Sequence, residues 1–343
     1  MKRKKVVIAM SGGVDSSVAA SLLKDEGFEV IGLTMQMTKD SRLEEARAQG
    51  RRLGIPHYVL NLEDIFKERV ISDFCEEYKR GHTPNPCVRC NKYIKFDTLI
   101  RKAGALGADY IATGHYTCIE HNGQRHLLKR GIDSRKDQSY FLYLMNEEEL
   151  ERTLMPLGNL TKEQVREIAR KKDLPAAEST ESQEICFIPN NRYGEFLKEY
   201  IPEELYRPGP ILRKGGEVIG EHQGIIFYTV GQRKGIGLSH KEPLYVSSID
   251  RENNSIVVGL KQELYKDELI VDNVSFIYGG RLEAHLEAEV KIRYLHLAAP
   301  ASIIPQGKEK AKVRFAHPQW APAPGQSAVF YQGDVVIGGG RIC

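Results

Sequence analysis

The 343-residue sequence predicts an α/β fold: a doubly wound parallel sheet followed by two small β-rich or β-barrel domains. Two observations carry this. Residues 4–115 alternate short β-branched runs with amphipathic helical stretches, the rhythm of βαβ units. From Tyr206 onward the texture changes to short β-rich runs separated by Pro and Gly turns, the spacing of small barrels. The expected division is a catalytic domain with a helical extension over 1–204, a central β-rich domain over 205–267, and a C-terminal barrel over 268–343.

Val6–Met10 reads as the first strand, followed by a helix through about Gly27, and Glu29–Met35 as the second strand. Arg42–Leu53 has helical spacing and stops at Gly54-Ile55-Pro56. Tyr58–Leu60 is the third strand, Ile65–Tyr78 a crossover helix, and Lys95–Leu106 another. The fourth strand, Tyr110–Thr113, runs into Gly114-His115. Ligands of such sheets sit at the carboxyl ends of the strands, where both Gly12-Gly13 and Gly114-His115 fall. Thr117–Leu128 reads as a hairpin around Asn122-Gly123. Glu147–Leu154 and Thr161–Lys171 are helical, the latter with a Thr161/Gln164 capping box. Pro208-Gly209-Pro210, Lys214-Gly215-Gly216, Tyr278-Gly279-Gly280 and Pro324-Gly325 punctuate the β-rich half.

Composition narrows the function classes. A net charge of +3 does not by itself imply nucleic-acid binding, although it permits a local basic face. No apolar run approaches the ~18 residues of a membrane span, so no membrane partner is expected. The basic start Met1-Lys2-Arg3-Lys4-Lys5 precedes an apolar stretch too short for a signal peptide and reads as solvated lead-in to the first strand. Cysteines 75, 87, 90, 118, 186 and 343 are therefore expected as reduced thiols in a reducing cytoplasm.

Ser11-Gly12-Gly13-Val14-Asp15-Ser16-Ser17 joins the first strand to a helix. A Gly-Gly turn at a positive helix N-terminus gathers backbone N–H groups into an anion cradle. The two glycines permit close backbone approach, and the serines add hydroxyl donors. Asp15 would repel phosphate, so a Mg²⁺ ion bridging it to a nucleotide would account for it. The loop lacks the lysine of a Walker A sequence. A plain strand–turn–helix with an N-cap serine is the other reading.

Thr83-Pro84-Asn85-Pro86-Cys87-Val88-Arg89-Cys90-Asn91 reads as a proline-stiffened loop carrying C-x-x-C, and Cys186 follows in Ser182–Pro189. Such a pair can be a redox couple or half of a zinc site, although no second half follows. With Cys186 it can also supply three thiolates to a [4Fe–4S] cluster. Burial as small hydrophobes suits Cys75 and Cys118 better than Cys87 and Cys90, which sit among prolines and polar residues.

Several motifs together, in order along nearly the whole chain, resemble the tRNA-specific 2-thiouridylases of the PP-loop ATP pyrophosphatase superfamily. They are Ser11–Ser17, Asn85-Pro86 with Cys90-Asn91, Ala112-Thr113-Gly114-His115-Tyr116 and Lys136-Asp137-Gln138-Ser139-Tyr140-Phe141-Leu142. They continue with Ile185-Cys186-Phe187-Ile188, Gly220–Gly224, Thr229–Gly235 and Pro324–Tyr331. The resemblance implies a PP-loop (adenine nucleotide hydrolase-like) sheet. It also implies an enzyme that adenylylates the C2 oxygen of the wobble uridine of a tRNA and replaces it with sulfur, releasing AMP and pyrophosphate.

The resemblance also implies residue roles. Ala9-Met10-Ser11-Gly12-Gly13-Val14-Asp15-Ser16, Met35 and Gly114 would contact ATP with its Mg²⁺. His115, Lys136, Asp137, Gln138, Arg293, Tyr294 and Gln326 would contact the tRNA anticodon arm, with Asn85 and Pro86 near the target base. Cys90 corresponds to the nucleophile and Cys186 to the persulfide carrier, charged by a sulfur donor such as a cysteine desulfurase or a sulfur-relay protein. Their reaction would leave a disulfide bond. Many members carry aspartate where this chain has Cys87, and the third thiol tips the sequence reading toward the cluster route. The segment after Met35 is short. Other readings are a different PP-loop tRNA-modifying ligase and a non-catalytic RNA-binding protein whose C-x-x-C senses redox state. Gln232, Arg233 and Lys234, between glycines, suit RNA backbone contact or a solvated turn.

Overall fold

Val6, Val7 and Ile8 are fully buried, which places the first strand, Lys5–Ala9, in the middle of its sheet. In the computed structural model, which describes residues 3–39, 42–177, 185–188 and 192–343, that sheet has five strands, all parallel. Their order is His57–Asn61, Glu29–Gln36, Lys5–Ala9, Tyr110–Ala112 and Thr153–Leu154. Alternate side chains feed two cores. Val6 and Ile8 join Val18, Ala19 and Leu23 of the helix Val14–Asp25, while Val7 joins Phe66, Phe74 and Leu99 on the other face. A sheet covered on both faces is the doubly wound arrangement predicted above.

Several predicted elements change at their ends. The crossover helix expected over Ile65–Tyr78 is α over Glu63–Phe66, π over Lys67–Ile71 and α again over Ser72–Lys79. The helix expected from Lys95 begins nine residues earlier, at Pro86: Pro86–Arg89 is α, Cys90–Phe96 is π and Asp97–Ala105 is α. Proline fits the first helical position because its missing N–H would have no partner there. The C-x-x-C is therefore helical rather than in a loop. The expected helix Glu147–Leu154 ends at Glu151, and Thr153–Leu154 becomes the fifth strand. Its start is fixed by an Asn146/Glu149 capping box that the sequence reading missed. The Thr161/Gln164 box opens the helix Lys162–Lys171 as expected.

The β-rich half begins with a four-stranded sheet, ordered Tyr245–Asp250, Ser255–Gly259, Gly209–Arg213 and Val218–His222. Six further strands follow: Tyr265–Phe276, Leu286–Lys291, Ala299–Pro305, Ala311–Trp320, Ser327–Gln332 and Val335–Ile342. They close into a barrel because the first pairs with both the fourth and the last. Closure removes exposed strand edges. The hairpin predicted around Asn122-Gly123 forms from Thr117–His121 and His126–Arg130, and its second strand pairs with the last barrel strand at Lys129 and Val335.

Polar contacts seal the first sheet domain against this barrel. Thr83 N–H donates to the Pro324 carbonyl at 2.7 Å, and Tyr140 Oη donates to the Ser327 carbonyl at 2.9 Å. Glu77, 4% exposed at its side chain, accepts from Arg341 at 2.8 Å, His82 at 2.8 Å and Arg80 at 3.1 Å. Among the described residues no helix is long and apolar enough to cross a membrane.

Candidate active site

The turn after the first strand is built from Gly12 and Gly13. Gly12 has φ +79°, and a Cβ there would lie 2.9 Å from Glu45 Cβ and 3.1 Å from Ala46 N, so the neighbouring helix Leu43–Leu53 leaves room for glycine alone. Gly13 is the N-cap of Val14–Asp25 and has no side chain to cap it, which leaves the first-turn amides to an external acceptor. The serines brace the turn. Ser16 and Ser17 hydroxyls donate to the Gly13 carbonyl at 3.2 and 2.9 Å, and Ser11 N–H donates to Ser16 Oγ at 3.2 Å. Ala9 ends the first strand, while Met10, Val14 and Met35 are buried beneath the turn. Gly114 walls the other side, where a Cβ would meet Asp15 C and Ser16 N at 3.0 Å.

Asp15 points to partners of its own. Tyr116 Oη donates to Asp15 Oδ1 at 2.6 Å, and Lys162 Nζ donates to Oδ1 and Oδ2 at 2.7 and 2.9 Å. The carboxylate expected to recruit Mg²⁺ is thus engaged by a lysine and a tyrosine.

Cys87, Cys90 and Cys186 come near one another, beside Lys95. Cys87 and Cys186 are exposed, whereas Cys90 is 7% exposed and its Sγ–H lies 3.7 Å from Met37 Sδ, just beyond the second strand. Burial pushes the Cys90 thiol up to about 12; Lys95 opposes this, and the charges of Cys186 and Cys87 add to it. Although both residues reach the surface, desolvation of their thiols also raises Cys87 and Cys186, again opposed by Lys95. The thiols are therefore close enough to feel one another's charge and that of one lysine. A π-helix places residues five apart in register, so Cys90 and Lys95 lie one turn from each other. His115 joins this group: burial and then Lys95 hold its imidazole well below its usual value, and Nδ1 pairs with Thr113 Oγ1 at 2.8 Å. Its ring stacks on Phe96 at 6.1 Å.

The three thiols do not form a ligand set. Among the described residues no three His, Cys, Asp or Glu side chains are placed to hold a metal ion together. Nothing in this arrangement supports the [4Fe–4S] expectation for Cys87, Cys90 and Cys186.

Comparison with known proteins follows this geometry closely. A family model described as "tRNA methyl transferase HUP domain" matches residues 4–190, and "tRNA methyl transferase PRC-barrel domain" matches 194–260. "Aminomethyltransferase beta-barrel domain" matches residues 266–342. The chain is 48% identical to tRNA-specific 2-thiouridylase MnmA of Clostridium acetobutylicum, covering 99% of both chains. It is 49% identical to tRNA-specific 2-thiouridylase MnmA 1 of Caldanaerobacter subterraneus subsp. tengcongensis, covering 98% of this chain and 97% of that one. This chain belongs to the tRNA-specific 2-thiouridylase family.

The residues that membership would assign to RNA contact are mostly engaged inside this 2-thiouridylase family member. Asp137 accepts from Gly131 N–H, Ser139 N–H and Ser139 Oγ, and Gln138 Oε1 accepts from Tyr116 N–H at 3.0 Å. Lys136 lies in the same turn, its N–H bonded to the Asp133 carbonyl. Arg293 donates to the Val230 and Ala321 carbonyls, and Gln326 to those of Thr83 and Pro84. Tyr294 packs on Phe141 at 4.6 Å, Asn85 holds the N-cap position of the helix that Pro86 starts without a side-chain capping bond, and Gln232 Oε1 accepts from Thr229 N–H. Arg233 and Lys234 are exposed. Ser182–Glu184 and Pro189 of the Cys186 motif, and Met1-Lys2 of the basic start, lie outside the described residues.

Sequence reasoning missed Lys95, Tyr116 and Lys162. Lys162 did carry a signal: a lysine at the first position of a capped helix opposes the helix dipole, which favours acids there.

Proposed function

We propose that the chain thiolates C2 of a tRNA uridine, the wobble uridine of the anticodon arm, with ATP accompanied by Mg²⁺ as the activating substrate. The observation that supports this reading most is that Gly114, which walls the cradle, leads into His115, and the Lys95 that acts on His115 also acts on the Cys90 and Cys186 thiols. A uridine carbonyl oxygen is a poor leaving group. Transfer of AMP to it, with pyrophosphate departing, makes it a good one. The uncapped amides of Val14–Asp25 and the Ser11 and Ser16 hydroxyls stabilise charge growing on the departing pyrophosphate. Mg²⁺ would travel with the phosphates and neutralise part of that charge.

Sulfur then arrives as a persulfide on Cys186, whose exposure suits it to meet an external donor. The terminal sulfur attacks C2 and AMP leaves, joining Cys186 to the base through an S–S bond. Cys90 attacks the Cys186 sulfur, so 2-thiouridine is released and a Cys90–Cys186 disulfide remains. A dithiol reductant restores both thiols by taking over that disulfide. Lys95 favours the Cys90 thiolate against its burial, and the same lysine, after burial, helps keep His115 neutral. Cys87 takes no step in this route.

The test supplies ATP, unmodified tRNA and a sulfur donor and scores AMP, pyrophosphate and thiolated tRNA. This reading expects all three products, with Cys90→Ser and Cys186→Ser abolishing thiolation. Another PP-loop ligase would release AMP without needing either thiol, and a redox-sensing RNA binder would release none.

A further inference from the structure

Lys162 is buried at the start of a helix whose dipole disfavours it, which calls for a specific compensation. That compensation is Asp15. Lys162 Nζ sits 2.7 and 2.9 Å from the two carboxylate oxygens, with 8% of the lysine side chain and 34% of the aspartate side chain exposed. Tyr116 Oη donates to the same carboxylate at 2.6 Å and fixes its orientation. The lysine is itself anchored, because its backbone N–H donates to Asp133 Oδ2 at 3.0 Å. Asp133 is 7% exposed and opens the turn that contains Lys136, Asp137 and Gln138.

A carboxylate in the first turn of a polyanion-binding helix opposes the ligand the turn is built to hold. We propose that Lys162 is a positioning residue of the ATP site: it neutralises Asp15, so that the cradle offers donors to a triphosphate without an opposing charge. This rests on reading the cradle as an ATP site. A cation built into the chain thereby does at Asp15 what a metal ion would otherwise do, and Mg²⁺ is left to the phosphates. Tyr116 keeps the aspartate turned toward the lysine rather than toward the ligand.

The test measures ATP and pyrophosphate binding by calorimetry, in EDTA and in Mg²⁺, for wild type, Lys162→Met, Asp15→Asn and the double variant. Lys162→Met is expected to weaken binding in EDTA by about tenfold or more, with Mg²⁺ recovering part of the loss as it pairs with the bared carboxylate. The double variant is expected to bind as Asp15→Asn does, because the charge to be neutralised is gone. Should Lys162→Met fail to fold, that last comparison carries the test, since the double variant leaves no unpaired buried charge. A double variant markedly weaker than Asp15→Asn would overturn the proposal, because the lysine would then act on the phosphates directly. A folded Lys162→Met that binds like wild type would overturn it too. A wild type that binds no ATP under either condition would instead remove the underlying reading of the cradle.

Discussion

Gln326 of the closed barrel donates its side-chain amide to the carbonyl oxygens of Thr83, at 2.9 Å, and Pro84, at 3.2 Å. These carbonyls immediately precede Asn85-Pro86, where the helix carrying Cys87 and Cys90 begins. Gly325 beside it has a φ of +90°, and a Cβ there would lie 2.9 Å from the Thr83 carbonyl oxygen, so a side chain is excluded. A residue 243 positions from Thr83 thus helps set the entry angle of the thiol helix. Gln326→Ala leaves two carbonyls short of a donor, at a cost of about 1 kcal/mol each where buried. Thiolation is expected to fall more than ATP binding does, checked by assaying both on the same preparation. Equal losses would mean that the contact serves only overall stability.

Gly114→Ala tests the cradle wall without backbone strain, because its φ lies outside the left-handed region. The added Cβ would press on Asp15 C and Ser16 N at 3.0 Å, atoms of rigid backbone. The helix start must yield by a few tenths of an ångström, and ATP affinity should drop about tenfold with a stability loss below about 1.5 kcal/mol. Titration of nucleotide alongside thermal unfolding checks this.

Thiol reactivity should follow burial. With a pKa pushed up to about 12, Cys90 holds only about 10⁻⁴ of its population as thiolate near pH 8. Cys75, pushed by burial to about 11, is similarly protected. Brief iodoacetamide treatment followed by peptide mass mapping should label Cys87, Cys186 and Cys343 well before Cys90 and Cys75. Early labelling of Cys90 would contradict its placement under Met37.

Stability should decline on acidification in two stages. Burial holds His115 well below 6.5, so the unfolded chain binds the proton more readily and stability falls as pH drops below 6.5. His57, His222 and His296 are lowered in the same sense, chiefly by burial. Glu77 is raised by burial but held lower overall by His82, Arg341 and Arg80, so its contribution is present above 4.5 and lost below it. Denaturant midpoints should therefore be lower at about pH 5.5 than at about pH 7.5, and lower again near pH 4. A flat profile would argue against the buried, neutral His115.

The sheet, the turn at Gly12-Gly13 and the hairpin at Asn122-Gly123 were legible in the sequence because periodicity and turn chemistry are local signals. The helix from Pro86 was not: two prolines and an asparagine read as loop, and only packing of Val88, Ile94 and Phe96 into the core decides for helix. The meeting of Cys90 with Cys186 was reached through family resemblance, since nothing in spacing brings together residues about a hundred positions apart. Lys162 was visible as an anomaly against the helix dipole, but its partner Asp15 lies 147 positions earlier and no local rule connects them.

The hairpin Thr117–Arg130 begins at the residue after Tyr116, which touches Asp15, and its far strand is stitched to the barrel at Val335. Swinging the barrel outward would shear that ladder and tug the nucleotide cradle through Tyr116. The hairpin thus couples the barrel to the turn that starts the helix Val14–Asp25.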